Sequence, residues 1–170
     1  QHLVSEGCKR IALLCGPENV TIGGNRMEGY EKAMEANHLP AKTELIWHCS
    51  DFTVEAGKET TRQLLSRQER PDAIFGITDD LAIGAIEAIK EKGLNIPEDI
   101  AVVGFSNTKR SRYMNPTVSS INQFPEKIGR AAAELLFDQI LNSKHAQIKK
   151  EIINCELIIR ESSDRLCKTR

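Results

Sequence analysis

The stretch that decides the fold is Asp72-Ala-Ile-Phe-Gly-Ile77, Thr78, Asp79-Asp-Leu-Ala-Ile-Gly-Ala-Ile-Glu-Ala-Ile-Lys-Glu-Lys92, Gly93, and then Ile100-Ala-Val-Val-Gly104. Its first part is a short run, apolar almost throughout, that reads as a buried strand. Its second part places Leu81, Ala82, Ala85, Ile86 and Ile89 on one helical stripe. Gly93 stops that helix as a C-terminal cap, and Pro97 prevents it from resuming. Its third part is again continuously apolar. Strands without alternation suit a parallel sheet buried on both faces, and a strand-helix-strand unit of this length is the crossover that joins parallel strands.

Outward from this unit the pattern repeats. Arg10 to Cys15 and Glu44 to His48 read as two further strands. The stretch from Thr21 to His38 carries Met27, Tyr30 and Met34 at helical spacing. Thr53 to Arg67 reads as a helix with Val54, Thr61, Leu64 and Leu65 inward. Residues 106–117 are polar and irregular, and Val118 to Ile121 is a short strand or an extended crossing. Pro125 to Asn142 is a helix with Ile128, Ala131, Ala132, Leu135, Leu136 and Ile140 on one side. Glu151 to Ile159 is a last strand, and residues 164–170 form a polar tail expected to be mobile. The fold class is α/β, a doubly wound parallel sheet.

Composition narrows the function classes. The chain has 170 residues, with 23 basic and 24 acidic side chains and a net charge of −1. A nucleic-acid-binding surface normally carries a basic excess, so these residues are not expected to grip DNA themselves. No apolar run reaches the length of a membrane span. The start, Gln1-His2-Leu3, lacks a signal-peptide pattern and reads as the interior of a longer protein. Cys8, Cys15, Cys49, Cys155 and Cys167 are odd in number and irregularly spaced. They form neither a disulfide framework nor a zinc motif and suit a reducing cytoplasm. Cys15 and Cys155 lie in apolar runs and read as small buried residues.

Open α/β sheets bind ligands beyond the carboxyl ends of their strands. That rule selects Asn19, Thr21, Asn25 and Arg26; Ser50, Asp51 and Phe52; Thr78, Asp79 and Asp80; and Ser106, Asn107 and Thr108. A guanidinium, carboxylates, hydroxyls, amides and an aromatic ring on one edge suit a small polar molecule. Each residue also has a plainer role open to it. Asp79 stands where a helix begins and can cap it, Arg26 can be a solvated helix residue, Phe52 can be core, and Thr78 and Ser106 can bond the adjacent backbone.

Catalytic patterns are missing. Residues 16–24 lack the Gly-Lys-Ser/Thr ending of a phosphate loop, and no G-x-G-x-x-G or G-x-S-x-G follows a strand. The histidines His2, His38, His48 and His145 are scattered, and His48 and Cys49 face opposite sides of a strand. Asn19-Val-Thr21 fits a glycosylation sequon, which carries little meaning in a cytoplasmic protein. No enzyme, metal site or cofactor is expected.

The order of motifs resembles the effector-binding core of the LacI/GalR (lactose-repressor/galactose-repressor) transcription regulators. The matching pieces are His2 to Ala12, Arg26-Met-Glu-Gly-Tyr30, Asp51-Phe52, Pro71 to Phe75, Thr78 to Gly84, Ile96 to Phe105, Gln123 with its following helix, and Arg160-Glu-Ser-Ser163. The resemblance implies a periplasmic-binding-protein-like (type I) lobe over residues 1–163 with an effector held between two lobes. It implies a helix 125–142 that belongs to the N-terminal lobe, a DNA-binding headpiece outside this chain, and a homodimer. Its implied effector contacts are Arg26, Phe52, Thr78, Asp79, Ser106 and Gln123. Thr78 stands where the family usually has Asn, and Ser106-Asn107 where Asp-Asp is common. The implied function is a repressor sensing a small polar effector, a sugar first of all, and reading operator DNA through the headpiece. Dimer contacts are expected at Tyr113, Met114 and the helix from Val54. The competing expectation is a periplasmic solute-binding protein that feeds a sugar transporter.

Overall fold

Strand β1 (Ile11–Cys15) is buried at all its positions, as expected of a run apolar on both faces. β3 (Ala73–Gly76) and β4 (Ala101–Phe105) are buried at all but one position each. With β2 (Ile46–His48), β5 (Ser119–Asn122) and β6 (Glu156–Ile158) they form one sheet in the order β2-β1-β3-β4-β5-β6. The first five strands run parallel, and β6 pairs antiparallel with β5 at the edge. The computed structural model describes every residue except 18–19, 40–42, 142–148 and 166–170, and leaves out the side chains at 21 and 22 as well. Asn19, His145, Cys167, the last residue of the helix expected over 125–142 and most of the expected tail lie outside the described residues.

The connection from β1 to β2 steps one way along the sheet, and those that follow step the other way. Right-handed crossovers therefore put α2 (Thr21–Ala36) on one face, and α3 (Val54–Leu65) and α4 (Asp79–Glu91) on the opposite one. On the α2 face, Tyr30 and Met34 are buried, and the Tyr30 hydroxyl donates to the carbonyl of Ile11 at 2.8 Å. On the other face, α4 is buried well beyond its predicted stripe, Ile83, Gly84 and Ala88 included. The reason is that α3 lies across it. Thr53 caps α3, its hydroxyl accepting from the amide of Ala56 at 3.2 Å. Gly93, at φ +73°, closes α4: its amide donates to Lys90 and that of Leu94 to Ile89, the paired bonds of a Schellman ending.

Four sequence expectations change. A short helix, α1 (His2–Ser5), precedes β1, and α5 (Lys109–Tyr113) occupies part of the polar stretch read as irregular. Both are too short for helical periodicity to show. The last strand covers Glu156–Ile158 only. Cys155 is exposed, whereas Cys8, Cys15 and Cys49 are buried. Cys155 lies just before β6, where the apolar run has left the core. Burial pushes the thiols of Cys8 and Cys15 up to about 11.

The helix α6 (Pro125–Leu141) forms as expected, yet only Ala131 on it is buried. Leu136 is 57% and Phe137 63% exposed, with Ile140 and Leu141 alongside. An amphipathic stripe of this kind needs a second layer to cover it. The segment after β6 returns to the sheet, where Ser162 and Ser163 are fully buried. Ser162 accepts from the amide of Ser119 at 2.8 Å and donates to the carbonyl of Val102 at 2.6 Å. No described helix is long and apolar enough to cross a membrane.

Candidate functional site

In the order β2-β1-β3, the chain direction along the sheet reverses at β1. The loops that follow β1 and β3 therefore diverge at their carboxyl ends and leave a crevice there, the topological position where open α/β sheets bind ligands. Arg26 spans it. Helix α2 carries the side chain over the sheet edge, and its Nη1 donates to the carbonyl of Ile77, the residue just after β3. The guanidinium also lies over the Phe105 ring, 3.8 Å from its centroid. Burial pushes the Arg26 pKa below its usual value, opposed by the nearby Cys155 thiol.

Beneath Arg26, a largely apolar groove of about 830 Å³ runs along the α2 face of the sheet, from Arg26, Phe105 and Gln123 at the carboxyl end to Ile11, Met34 and Leu3 beside the first residues of the chain. Among the described residues no cluster of three or more His, Cys, Asp or Glu side chains is placed to hold a metal ion.

The remaining predicted residues separate into two groups. Gln123 and Ser106 come together: the Gln123 amide donates to the Ser106 hydroxyl at 3.1 Å. Phe52, half-buried, packs on Gly16 at the end of β1, on the far side of the crevice from β3. Thr78 and Asp79 are turned to structural work. Thr78, not Asp79, caps α4, its hydroxyl accepting from the amide of Leu81 at 3.3 Å. Asp79 is 1% exposed. Its Oδ2 accepts from the amide and hydroxyl of Thr108 at 2.6 and 2.9 Å, and its Oδ1 from the hydroxyl of Ser120 at 2.5 Å.

That set of bonds shapes the turn after β4. Ser106 has φ +120° and Asn107 φ +49°, backbone regions that cost energy for residues other than glycine. The turn is held by Asp79 on Thr108, by the Asn107 amide donating to Ser120 at 2.9 Å, and by Nη2 of Arg160 donating to Asn107 Oδ1 at 2.6 Å. Phe105 and Arg160 are the residues that sequence reasoning did not assign. Phe105 follows the apolar run Ile100–Gly104, and nothing in the local pattern marks its ring as a platform for Arg26. Arg160 is 53 residues from Asn107, and nothing in the local pattern points across that distance.

A β-carbon on Gly16 would overlap the Phe52 ring, coming within 2.9 Å of Cδ1 and closer still to Cε1 and Cζ. Gly16→Ala is therefore expected to displace Phe52 and to lower stability by about 1–2 kcal/mol, the usual scale for overpacking. Urea unfolding of the two proteins measures this, and an unchanged midpoint would show that Phe52 is not seated there.

The chain matches the family model described as a periplasmic binding protein-like domain over residues 1–163. Similar proteins include the HTH-type transcriptional repressor PurR of Haemophilus influenzae (strain PittEE), 37% identical over 164 residues. That match covers 95% of this chain and 48% of the relative. Among solved structures, the chain resembles the transcriptional regulator CelR in its cellobiose complex, with a TM-score of 0.87 and 32% identity over 94% of this chain and 48% of that one. It also resembles the lac repressor dimer bound to operator and the anti-inducer ONPF, with a TM-score of 0.86 and 28% identity over 95% of this chain and 48% of that one. The chain spans about half the length of the curated relatives it matches.

Proposed function

The chain belongs to the periplasmic-binding-protein-like domain family, in the branch of the LacI-type regulators, and on that premise we propose that it is the effector-sensing lobe of a transcription repressor. The observation that carries this reading is Arg26, held across the switch-point crevice by Ile77 and Phe105. The effector is a small polar molecule, a sugar or sugar-like compound. Arg26, Phe52, Ser106 and Gln123 contact it, while Thr78 and Asp79 act through the helix start and the turn they fix. The task proposed for the site is binding, not turnover, in line with the repressors among the curated relatives.

This lobe supplies one wall of the effector cleft. The apolar stripe of α6 packs within the second lobe, which explains why Leu136, Phe137 and Ile140 are uncovered here. Operator DNA is read by a headpiece elsewhere in the protein, which works in the cytoplasm as a homodimer. Tyr113, 86% exposed beside Met114, and the outer face of α3 are the dimer contacts. The curated relatives are repressors, which favours this reading over a solute-binding protein of a transporter.

A ligand that binds only the folded state raises stability by about 2.7 kcal/mol at one hundred times its Kd. The full-length protein is expected to melt several degrees higher with one class among sugars, sugar phosphates, nucleosides and small acids. Phe52→Ala is expected to remove that rise. No rise with any class would overturn the reading.

A further inference from the structure

We propose that Arg160 is a positioning residue of the effector site: it locks the turn after β4 and so fixes where the Ser106 hydroxyl meets the effector. This inference rests on the reading of that edge as an effector site. It starts from the backbone of the turn, where Ser106 has φ +120° and Asn107 φ +49°. Asparagine enters the left-handed region more readily than most side chains. A serine at positive φ persists only where the surrounding structure holds it there.

The backbone of the turn is seated on β5. The Ser106 amide donates to the carbonyl of Ile121 at 2.9 Å, and the Asn107 amide to the Ser120 hydroxyl at 2.9 Å. Asp79 grips Thr108, one residue past the strained pair. The side chain of Asn107 is held by Arg160, whose Nη2 donates to Oδ1 at 2.6 Å. The same guanidinium donates through Nη1 to the carbonyl of Val118 at 2.5 Å. The Arg160 backbone exchanges two more bonds with the Ser119 hydroxyl, at 2.8 and 2.9 Å. One fork thus spans the turn after β4 and the start of β5. Arginine suits this work because its donors lie in one plane at fixed angles, whereas a lysine ammonium is a point charge on a flexible stem. A charged donor also makes each bond stronger than a neutral one. Arg160 follows β6 (Glu156–Ile158) closely, and β5 leads into α6. The turn is therefore tied to both strands that flank α6 in the chain. Gln123, the residue after β5, closes the ring by donating to the Ser106 hydroxyl at 3.1 Å. A hydroxyl has one proton and two lone pairs, so accepting this bond leaves the Ser106 proton for the effector.

The test uses the full-length protein as wild type, Arg160→Met, Arg160→Lys, Asn107→Asp and Ser162→Ala. Arg160→Met keeps the length of the stem and removes the fork. Asn107→Asp turns the neutral acceptor into a charged one. Ser162→Ala removes a buried hydroxyl that bonds Ser119 and Val102 but not the turn, and so controls for a general loss of stability. Amide hydrogen exchange is followed across residues 106–108, and affinity for cellobiose, glucose and ribose by calorimetry. Losing a hydrogen bond from a charged donor shifts an equilibrium by about tenfold or more. Exchange across the turn is expected to quicken by that factor in Arg160→Met, by less in Arg160→Lys, and not in Asn107→Asp or Ser162→Ala. Each sugar that wild type binds is expected to bind Arg160→Met about tenfold more weakly, and Asn107→Asp and Ser162→Ala as well as wild type. In a Ser106→Ala background the same Arg160→Met change is expected to cost no affinity, because no hydroxyl is left to place. Unaltered exchange in Arg160→Met overturns the inference and leaves the effector site standing. An affinity loss that is as large in Ser162→Ala, or that persists in the Ser106→Ala background, overturns it too. Binding of none of the three sugars by wild type counts against the sugar reading, and the exchange alone then decides the lock.

Discussion

Replacing Gly84 by alanine is expected to cost about 3 kcal/mol or more, toward the upper end of what overpacking does. Helix α4 meets α3 at this glycine. A β-carbon here would fall inside the carbonyl oxygen of Val54 and 2.6 Å from the amide nitrogen of Lys58. Both are backbone atoms of α3, so no side chain can swing away, and the two helices must separate. The reverse contact is equally tight, because a β-carbon on Gly57 would lie 2.6 Å from the carbonyl oxygen of Leu81. Separation would loosen Leu64, Leu81, Ile86 and Ile89, all now fully or nearly fully buried. Against a total stability of about 5–15 kcal/mol for a protein domain, this is a large fraction. The control is Gly24→Ala on α2, where a β-carbon meets nothing within 4 Å. There alanine is expected to be neutral or to stabilise by up to about 1 kcal/mol. Urea unfolding followed by circular dichroism compares the two, and equal midpoints would show that α3 and α4 are not in backbone contact.

Asp79→Ala is the second large effect. It removes the acceptor of three hydrogen bonds and leaves the half-buried Thr108 amide and hydroxyl and the buried Ser120 hydroxyl without this partner. Hydrogen bonds to a charged group contribute about 1.5–3 kcal/mol each and do not add fully, so a loss of about 3–4 kcal/mol is expected. The second consequence is local. Ser106 and Asn107 keep their positive φ values only while the turn is held, so the Ser106–Gln123 contact is expected to loosen. Effector affinity should fall further than the melting temperature alone explains. Asp79→Asn keeps the shape but turns one acceptor into a donor, and an intermediate loss is expected. Amide hydrogen exchange across residues 106–108 reads the local part, and unaltered protection there in Asp79→Ala would refute it.

Sequence reasoning reached the alternation of strands and helices because that pattern is local. Ile11–Cys15, Ala73–Gly76 and Ala101–Phe105 had to be buried on both faces, since no polar residue gives them a wet side. The stop at Gly93 was equally local, being set by backbone conformation at a single residue. For the site, the rule of carboxyl ends named Arg26 and Ser106 and the family resemblance named Gln123, and the structure brings Gln123 and Ser106 together. Neither the rule nor the resemblance could say which way each side chain turns. Thr78 and Asp79 are adjacent in sequence and both polar, and only the packing of α4 against β4 and β5 shows that one caps the helix and the other braces the turn.

By itself the sequence determined a parallel α/β sheet, the places where its helices stop, the edge at which polar groups gather, and the motifs shared with LacI-type regulators. Each follows from residues near one another in the chain or from a spacing along it. The tertiary structure alone decided that Arg26 lies on Phe105 across 79 positions of sequence, that Arg160 braces Asn107, that Asp79 is withdrawn from the crevice, and that among the described residues Leu136 and Phe137 of α6 stay exposed. These depend on which surfaces meet when the layers pack. That is settled by the whole set of contacts at once, and no single stretch of the chain contains it.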